Sequence, residues 1–307
     1  PFSSGAMKPC DLAPALLKRG NSATNWAFIL MLEAVELGMT VEPKTGEVGD
    51  MQEKVERIAK LAGEKIWELY QGIPLDVQTK DDNSPVTDAD LEANQIITNG
   101  LNEFSDLPVL SEEALPDPEA RKAWGQYWLV DPLDGTKGFI KRTGDFTVNI
   151  ALIDNKAPVM GVIYVPKTGD MYSASKDNGA FKNGQRIFND REGSPTVAVA
   201  SKLHQGEETI WMKELGVHET VNVNSSLKLC WLAEGKADIY PRNKPTMEWD
   251  TGAGEVILNE AGCQILSLPG LQPMPHNEED LTNPGFLAFR NNLSFEASQS
   301  LWPTLKS

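Results

Sequence analysis

Cysteine and histidine, which build many protein metal and redox sites, are scarce here: three of each in 307 residues. Cys10, Cys230 and Cys263 are too scattered for a disulfide framework, and no C-x-x-C pair offers zinc a site. A reducing, cytoplasmic setting is the simplest reading of that usage. Positive charge is also in short supply. The formal net charge of −16 excludes a nucleic-acid backbone as a standing partner, because that contact needs basic patches. A small anionic substrate stays open, since bound cations or local basic groups override a global field. No apolar run approaches the roughly 20 residues of a membrane span. The strongest, "WAFILML" (Trp26–Leu32), follows Lys18 and Arg19 but has no A-x-A cleavage site after it, so it reads as a packed helix. "SSGAM" at the start has the texture of an expression-tag remnant.

Familiar phosphate motifs are missing as well. "GAFKNGQR" has Gly179 and Gly184 of a phosphate-binding loop but Gln185 where lysine is required. Cys230 is followed six positions on by Lys236, not by a phosphate-holding arginine. The aspartate pair is spaced D-x-x-D-G-T, unlike phosphatases that form an aspartyl-phosphate. No histidine adjoins the acidic clusters. What remains for phosphate chemistry is a water activated by metal.

What is present is ordinary globular composition, with 40% hydrophobic and 23% charged residues, enough for one large domain or two moderate ones. Val55, Ile58, Ala62, Ile66 and Leu69 recur at helical spacing, and Gly72 can end that helix. A second helix follows "SPVTDAD", with Leu91, Ile96, Ile97, Leu101 and Phe104 as its apolar face. The runs "LPVL", "YWLV", "FTVNIALID", "PVMGVIYV", "DMYSAS" and "TVAVAS" are short and β-rich, which predicts a mostly antiparallel sheet. After residue 197, "GEETIWMKELG", "SLKLCWLAEG", "ADIY", "TGAGEVILNEAG" and "CQILSL" alternate helix and strand. The expectation is an α/β (α+β) fold, a layered αβαβα sandwich. Its parts would be an N-terminal extension (1–50), a metal- and phosphate-binding α+β domain (51–196) and a smaller C-terminal α/β unit (197–307).

Acidic residues gather at element boundaries. "YWLVDPLDGTKGF" ends a strand in Asp131 and Asp134, with a short helix expected at Thr136–Ile140. Pro132 holds Asp131 extended, and Gly135 lets the chain turn. Like charges this close repel unless a cation sits between them, and oxygen-only ligands suit Mg²⁺. Three more clusters join them: Glu112 and Glu113 after "VLS", Asp88 and Asp90 at a helix start, and Asp250 as an apparent N-cap in "MEWDTGAG". There Gly252 and Gly254 would let a ligand approach. Singly, each has a plain explanation: an Asp-Gly turn, a solvated loop pair or a helix cap. Together they point to a metal site.

These stretches resemble the inositol monophosphatase superfamily, whose D-P-[I/L]-D-G-T signature stands at Asp131–Thr136. Within it, "KDDNSPVTDAD", "VLSEE", "GDFTVNIALI", "SSLK", "YPR", "MEWDT" and "NPGF" are most similar to the CysQ-type 3'(2'),5'-bisphosphate nucleotidases, across roughly Met51 to Phe289. The resemblance implies two or three Mg²⁺ held by Glu112, Asp131, Asp134, Asp250 and the carbonyl of Leu133. It implies Asp88 and Thr136 as the pair that orients and helps deprotonate the water. Gly135, Thr136 and Lys137 would hold the scissile phosphate. Ser225, Ser226, Lys228 and Arg242 would face the rest of a nucleotide bisphosphate, including its second phosphate. Lithium sensitivity and a place in sulfur assimilation come from the resemblance alone. Two departures stand out: Gly138 where the family commonly has glutamate, and Gly252 where it has alanine. Residues 1–50 lie outside the resemblance. An inositol or sugar phosphatase is the nearest rival reading, and a non-catalytic regulator on the same fold is the rival of another class.

Overall fold

The structure is a computed structural model that describes residues 47–72, 77–79, 85–201, 212 and 216–293. Trp26–Leu32 and nearly all of "GEETIWMKELG" lie outside the described residues. Among those described, no helix is long and apolar enough to cross a membrane.

The first expected helix forms as α1 (Glu47–Gln71). It buries Val55, Ile58, Ala59, Ala62 and Ile66 along one stripe. After the short pair β1 (Val77–Thr79) and β2 (Pro85–Thr87) comes α2 (Asp88–Asn102). Its buried face is Ala89, Ala93, Ile97 and Leu101, with Ile96 and Phe104 partly covered; Leu91 is exposed. Small residues turn out to form half of that face, because α1 packs close enough for Ile58 to touch Gly100.

A seven-stranded sheet follows in the order β3-β4-β5-β6-β7-β8-β9. Its strands are β3 (Val109–Ser111), β4 (Gln126–Asp134), β5 (Thr147–Asp154), β6 (Ala157–Val165), β7 (Asp170–Ser175), β8 (Gly179–Lys182) and β9 (Gln185–Ile187). Only β3 and β4 run parallel; the other neighbours are antiparallel. "GAFKNGQR" is the β8–β9 hairpin, with Asn183 and Gly184 both at positive φ as a tight primed turn requires. Side-chain alternation assigns the two faces. Trp128, Val130, Val148 and Ile150 meet α1 and α2, while Tyr127, Leu129, Ala151 and Ile153 face the opposite layer.

That layer contains α5 (Leu227–Ala233) and α6 (Glu248–Glu260). Two short helices, α3 (Pro118–Arg121) and α4 (Thr136–Ile140), flank β4. Beyond α5 and α6 is a five-stranded sheet, β11-β10-β12-β16-β14. It is built from β10 (Val197–Ala200), β11 (Glu219–Asn222), β12 (Ile239–Arg242), β14 (Cys263–Ser267) and β16 (Phe286–Arg290). A minor pair, β13 (Thr246–Met247) and β15 (Thr282–Asn283), lies beside α6. "TVAVAS" is therefore not part of the antiparallel sheet. As β10 it pairs in parallel with both β11 and β12. A short apolar run sets its inward face but carries no information about its partner. The order of helix, sheet, helix and sheet gives four of the five expected αβαβα layers among the described residues. The outer face of the second sheet buries Ala198, Ile239, Leu287 and Phe289 against Met212 and Val217.

Candidate active site

The acidic residues converge where β4 ends. Gly135, at φ 102°, breaks the strand and starts α4. A Cβ there would lie 3.0 Å from the carbonyl oxygen of Asp145, and a non-glycine residue would also strain the backbone. Asp131 and Asp134 thus sit at the strand terminus, and Asp250 reaches them from the first turn of α6. One carboxylate oxygen from each of the three lies within 4.8 Å of the others. Asp250 is the third residue of its helix and not the cap. Its Oδ2 accepts the backbone N–H of Met247 at 2.7 Å.

Each carboxylate has one oxygen held by a backbone amide. Asp131 Oδ1 accepts the Leu133 amide at 3.0 Å, while Oδ2 is buried without a partner. Asp134 Oδ2 accepts both the amide and the hydroxyl of Ser226, each at 2.6 Å. Asn149 steadies the Ser226 hydroxyl with a 2.9 Å bond. With one oxygen of each group so fixed, the three carboxylates still bring an oxygen apiece within 4.8 Å of one another. A buried carboxylate oxygen without a donor is costly, and a hard divalent cation satisfies it. The donor set, oxygen only with no histidine or cysteine, fits Mg²⁺ chemistry.

The electrostatics carry the same message. Burial pushes the Asp131 carboxyl well up, and Glu112, Asp134, Asp250 and Asp90 push it further. Burial and Asp134 raise Asp250 to about 8, against the pull of the Met247 amide and Lys228. The sign of the consequence follows from linkage: a folded-state pKa raised above its unfolded value costs stability at higher pH, and the cost fades as pH falls. Metal-stripped protein is therefore expected to gain thermal stability from pH 8 toward pH 5.5. Added Mg²⁺ should raise the melting temperature more at pH 8 than at pH 5.5. Melting curves with EDTA and with Mg²⁺ at both pH values test this, and an equal Mg²⁺ shift at both would contradict it.

Glu112 follows β3, its amide bonded to the carbonyl of Val130 at 3.1 Å. It lines the same cleft of about 760 Å³ as Asp131, Leu133, Asp134, Gly135, Thr136, Lys137 and Asp250. Ser225, Ser226, Lys228 and Arg242 line it too. Ser225 is at φ 55° with a buried, unpartnered hydroxyl. Lys228, only 8% exposed, donates to the Ser225 carbonyl at 2.6 Å and stands 5.7 Å from the Tyr240 ring. Burial lowers its pKa to about 8. Arg242 donates to the Lys244 carbonyl at 3.2 Å.

Asp88 is the exception. As the first residue of α2 it is exposed and does not line the cleft. Asp90, two positions on, is 2% exposed, and its Oδ1 accepts the Thr136 hydroxyl at 3.1 Å. Its Oδ2 accepts the amide and hydroxyl of Thr87 at 2.8 and 2.6 Å. The signal was available in the T-x-x-D spacing: an acid three residues after a Thr cap turns back toward it, whereas one at the first helical position faces solvent. Gly252 and Gly254 likewise serve packing, not ligand approach. Cβ atoms there would lie 2.8 Å from Leu129 and 2.3 Å from Leu229. Asn149, as the prop of Ser226, and the apolar wall of Leu115, Met247, Trp249 and Phe286 had no motif to announce them.

Comparison with known proteins adds a context. The profile of the inositol monophosphatase family matches residues 50–293. The 3'(2'),5'-bisphosphate nucleotidase CysQ of Escherichia coli (strain K12) is 45% identical over 243 residues, 77% of this chain and 98% of that one. The Buchnera aphidicola CysQ is 39% identical over 247 residues, 78% of this chain and 93% of its own. Among solved structures, CysQ from Bacteroides thetaiotaomicron aligns with a TM-score of 0.72 at 41% identity, covering 79% of this chain and 97% of that one. A Thermotoga maritima IMPase shares the fold at 20% identity, with a TM-score of 0.70 and coverage of 84% and 98%.

Proposed function

The chain belongs to the inositol monophosphatase family, and on that footing we propose that it is a Mg²⁺-dependent 3'(2'),5'-bisphosphate nucleotidase. Its reaction is the conversion of adenosine 3',5'-bisphosphate to AMP and phosphate. The observation that carries this reading is the gathering of Asp131, Asp134 and Asp250, each held by a backbone amide, with one oxygen from each within 4.8 Å of the others. Glu112, Asp131, Asp134, Asp250 and the carbonyl of Leu133 hold two or three Mg²⁺. When bound, the cations supply Lewis-acid charge and an activated water, which a phosphomonoester dianion needs because it repels its nucleophile.

The protein groups do the rest. Asp90 accepts the Thr136 proton, so the Thr136 oxygen is free to accept from the attacking water and aim it. Asp90 takes the part expected of Asp88. Gly135, Thr136 and Lys137 bind the scissile phosphate at the start of α4. Ser225, Lys228 and Arg242 attract the second phosphate, while Ser226 is occupied in fixing Asp134. Leu115, Met247, Trp249 and Phe286 give the cleft an apolar wall suited to a base. That wall favours a nucleotide over inositol phosphate. Carboxylates at every expected ligand position favour an enzyme over a non-catalytic regulator.

Lys228 should mark the pH profile. Burial lowers its pKa to about 8, so the cation is present below that value and lost above it. The kcat/KM for a bisphosphate should show an alkaline limb near pH 8. Lys228→Arg, which does not titrate, should remove that limb; an unchanged limb would exclude Lys228 as its source. The reading as a whole is tested by the product: chromatography should find AMP and phosphate. Adenosine 3'-phosphate as the product would reverse the assignment of the two phosphate subsites.

A further inference from the structure

Behind the metal site lies a buried polar cluster that takes no part in the chemistry above. Glu248, the first residue of α6, is 1% exposed, and its two oxygens accept the amides of Asn277 (2.7 Å) and Glu278 (3.2 Å). Asn277 has φ 58°, the left-handed conformation that aims successive amides at one anion. His276, 1% exposed, bonds Glu255 of the same helix through Nε2 at 3.0 Å. On its other side the segment grips Arg121. That side chain, 3% exposed, donates to Asn277 Oδ1 at 3.0 Å, to the Glu278 carbonyl and to the Glu279 carbonyl at 2.8 Å. Asn277 returns a bond to the Arg121 carbonyl at 2.8 Å.

The two elements so joined are those that bring ligands from either side. Asp250 is two residues past Glu248. Arg121 ends α3, which follows the Glu112 loop through the Asp117 cap; that loop is itself closed by the Ser111–Ala114 bridge. We propose that the 276–279 segment is a positioning clasp: by holding Glu248 and Arg121 together it sets the separation of Asp250 from Glu112, and hence the selectivity of the site for Mg²⁺. This rests on the metal-site reading above. The physical reason is tolerance. Mg²⁺ demands near-ideal octahedral geometry, whereas Ca²⁺ accepts longer and irregular coordination. Loosening the frame therefore penalises Mg²⁺ first. Glu248→Gln leaves the shape but turns one acceptor into a donor facing an amide.

The test is calorimetric titration of wild type, E248Q and R121K with Mg²⁺ and separately with Ca²⁺. The half-saturating Mg²⁺ for phosphate release and the nucleotide KM at saturating Mg²⁺ are measured alongside. The expected result is a Mg²⁺ affinity lower by about tenfold in both variants, Ca²⁺ affinity changed by less than about threefold, and KM unchanged. R121K keeps the charge and most of the packing, so it decides the matter if E248Q does not fold. Mg²⁺ affinity within twofold of wild type in a folded variant would overturn the clasp alone. Equal losses of Mg²⁺ and Ca²⁺ binding together with a lowered melting temperature would also overturn it, since that is what a merely structural role predicts. Wild type that binds no Mg²⁺ would instead sink the metal-site reading.

Discussion

Asp134→Asn is expected to reduce Mg²⁺-dependent phosphate release by on the order of a thousandfold or more while leaving the fold intact. The geometry fixes which way the new amide turns. Ser226 presents two donors, its amide and its hydroxyl, to Asp134 Oδ2 at 2.6 Å each. An asparagine must offer them its carbonyl oxygen, so its NH₂ group replaces Oδ1, the oxygen that Ser226 does not bind, beside the carboxylates of Asp131 and Asp250. A donor then faces a cation, in the place of an acceptor carboxylate. The metal-stripped variant should melt no lower than wild type, because one charge has left a repulsive cluster. Activity within tenfold of wild type at saturating Mg²⁺ would remove Asp134 from the account.

Asp90→Asn should lower kcat by roughly 10²- to 10⁴-fold, the usual contribution of a positioned base, with little change in Mg²⁺ affinity. The Thr87 amide and hydroxyl claim Oδ2, so the NH₂ of the variant faces the Thr136 hydroxyl. Thr136 must then accept from residue 90 and give its proton to the Leu133 carbonyl, 3.3 Å away. One of its two acceptor lone pairs is then taken by residue 90 and the carboxylate that drew its proton is gone, so it orients and activates water less well. Asp88→Asn, on the exposed first position of α2, should leave kcat within about twofold, since substitutions of exposed residues away from a site do little. Steady-state kinetics of the pair separates the assignments. A dead Asp88 variant beside an active Asp90 variant would restore the first.

These two substitutions also mark how far the sequence could be read. The β4–α4 junction was legible because D-P-L-D-G-T is constrained at each position: Pro132 and Gly135 dictate the backbone, and the carboxylates need a cation. The α1 stripe was legible because its apolar period is long, and β3 to β7 because their short β-rich runs are bounded by turn residues, whereas the β8–β9 hairpin was hidden in "GAFKNGQR". Asp88 and Asp90 were harder. Two acids two residues apart on a helix face different ways, and only the link to Thr87 decides which one turns inward. "TVAVAS" revealed a strand but not its sheet, because partner choice is a long-range property. Gly252 and Gly254 looked like ligand clearance and proved to be packing clearance, a difference set by Leu129 and Leu229 from other elements. The clasp around Glu248 was invisible for the same reason. Arg121 and Asn277 are 156 positions apart, and no local pattern joins them.

The most direct test of the central claim is phosphate release from adenosine 3',5'-bisphosphate, inositol 1-phosphate and fructose 1,6-bisphosphate, each with and without Mg²⁺. The account predicts rapid turnover of the nucleotide, dependent on Mg²⁺, with the other two far slower. A tenfold or greater preference for inositol 1-phosphate would contradict the nucleotide assignment, and release from none of them in saturating Mg²⁺ would contradict catalysis itself.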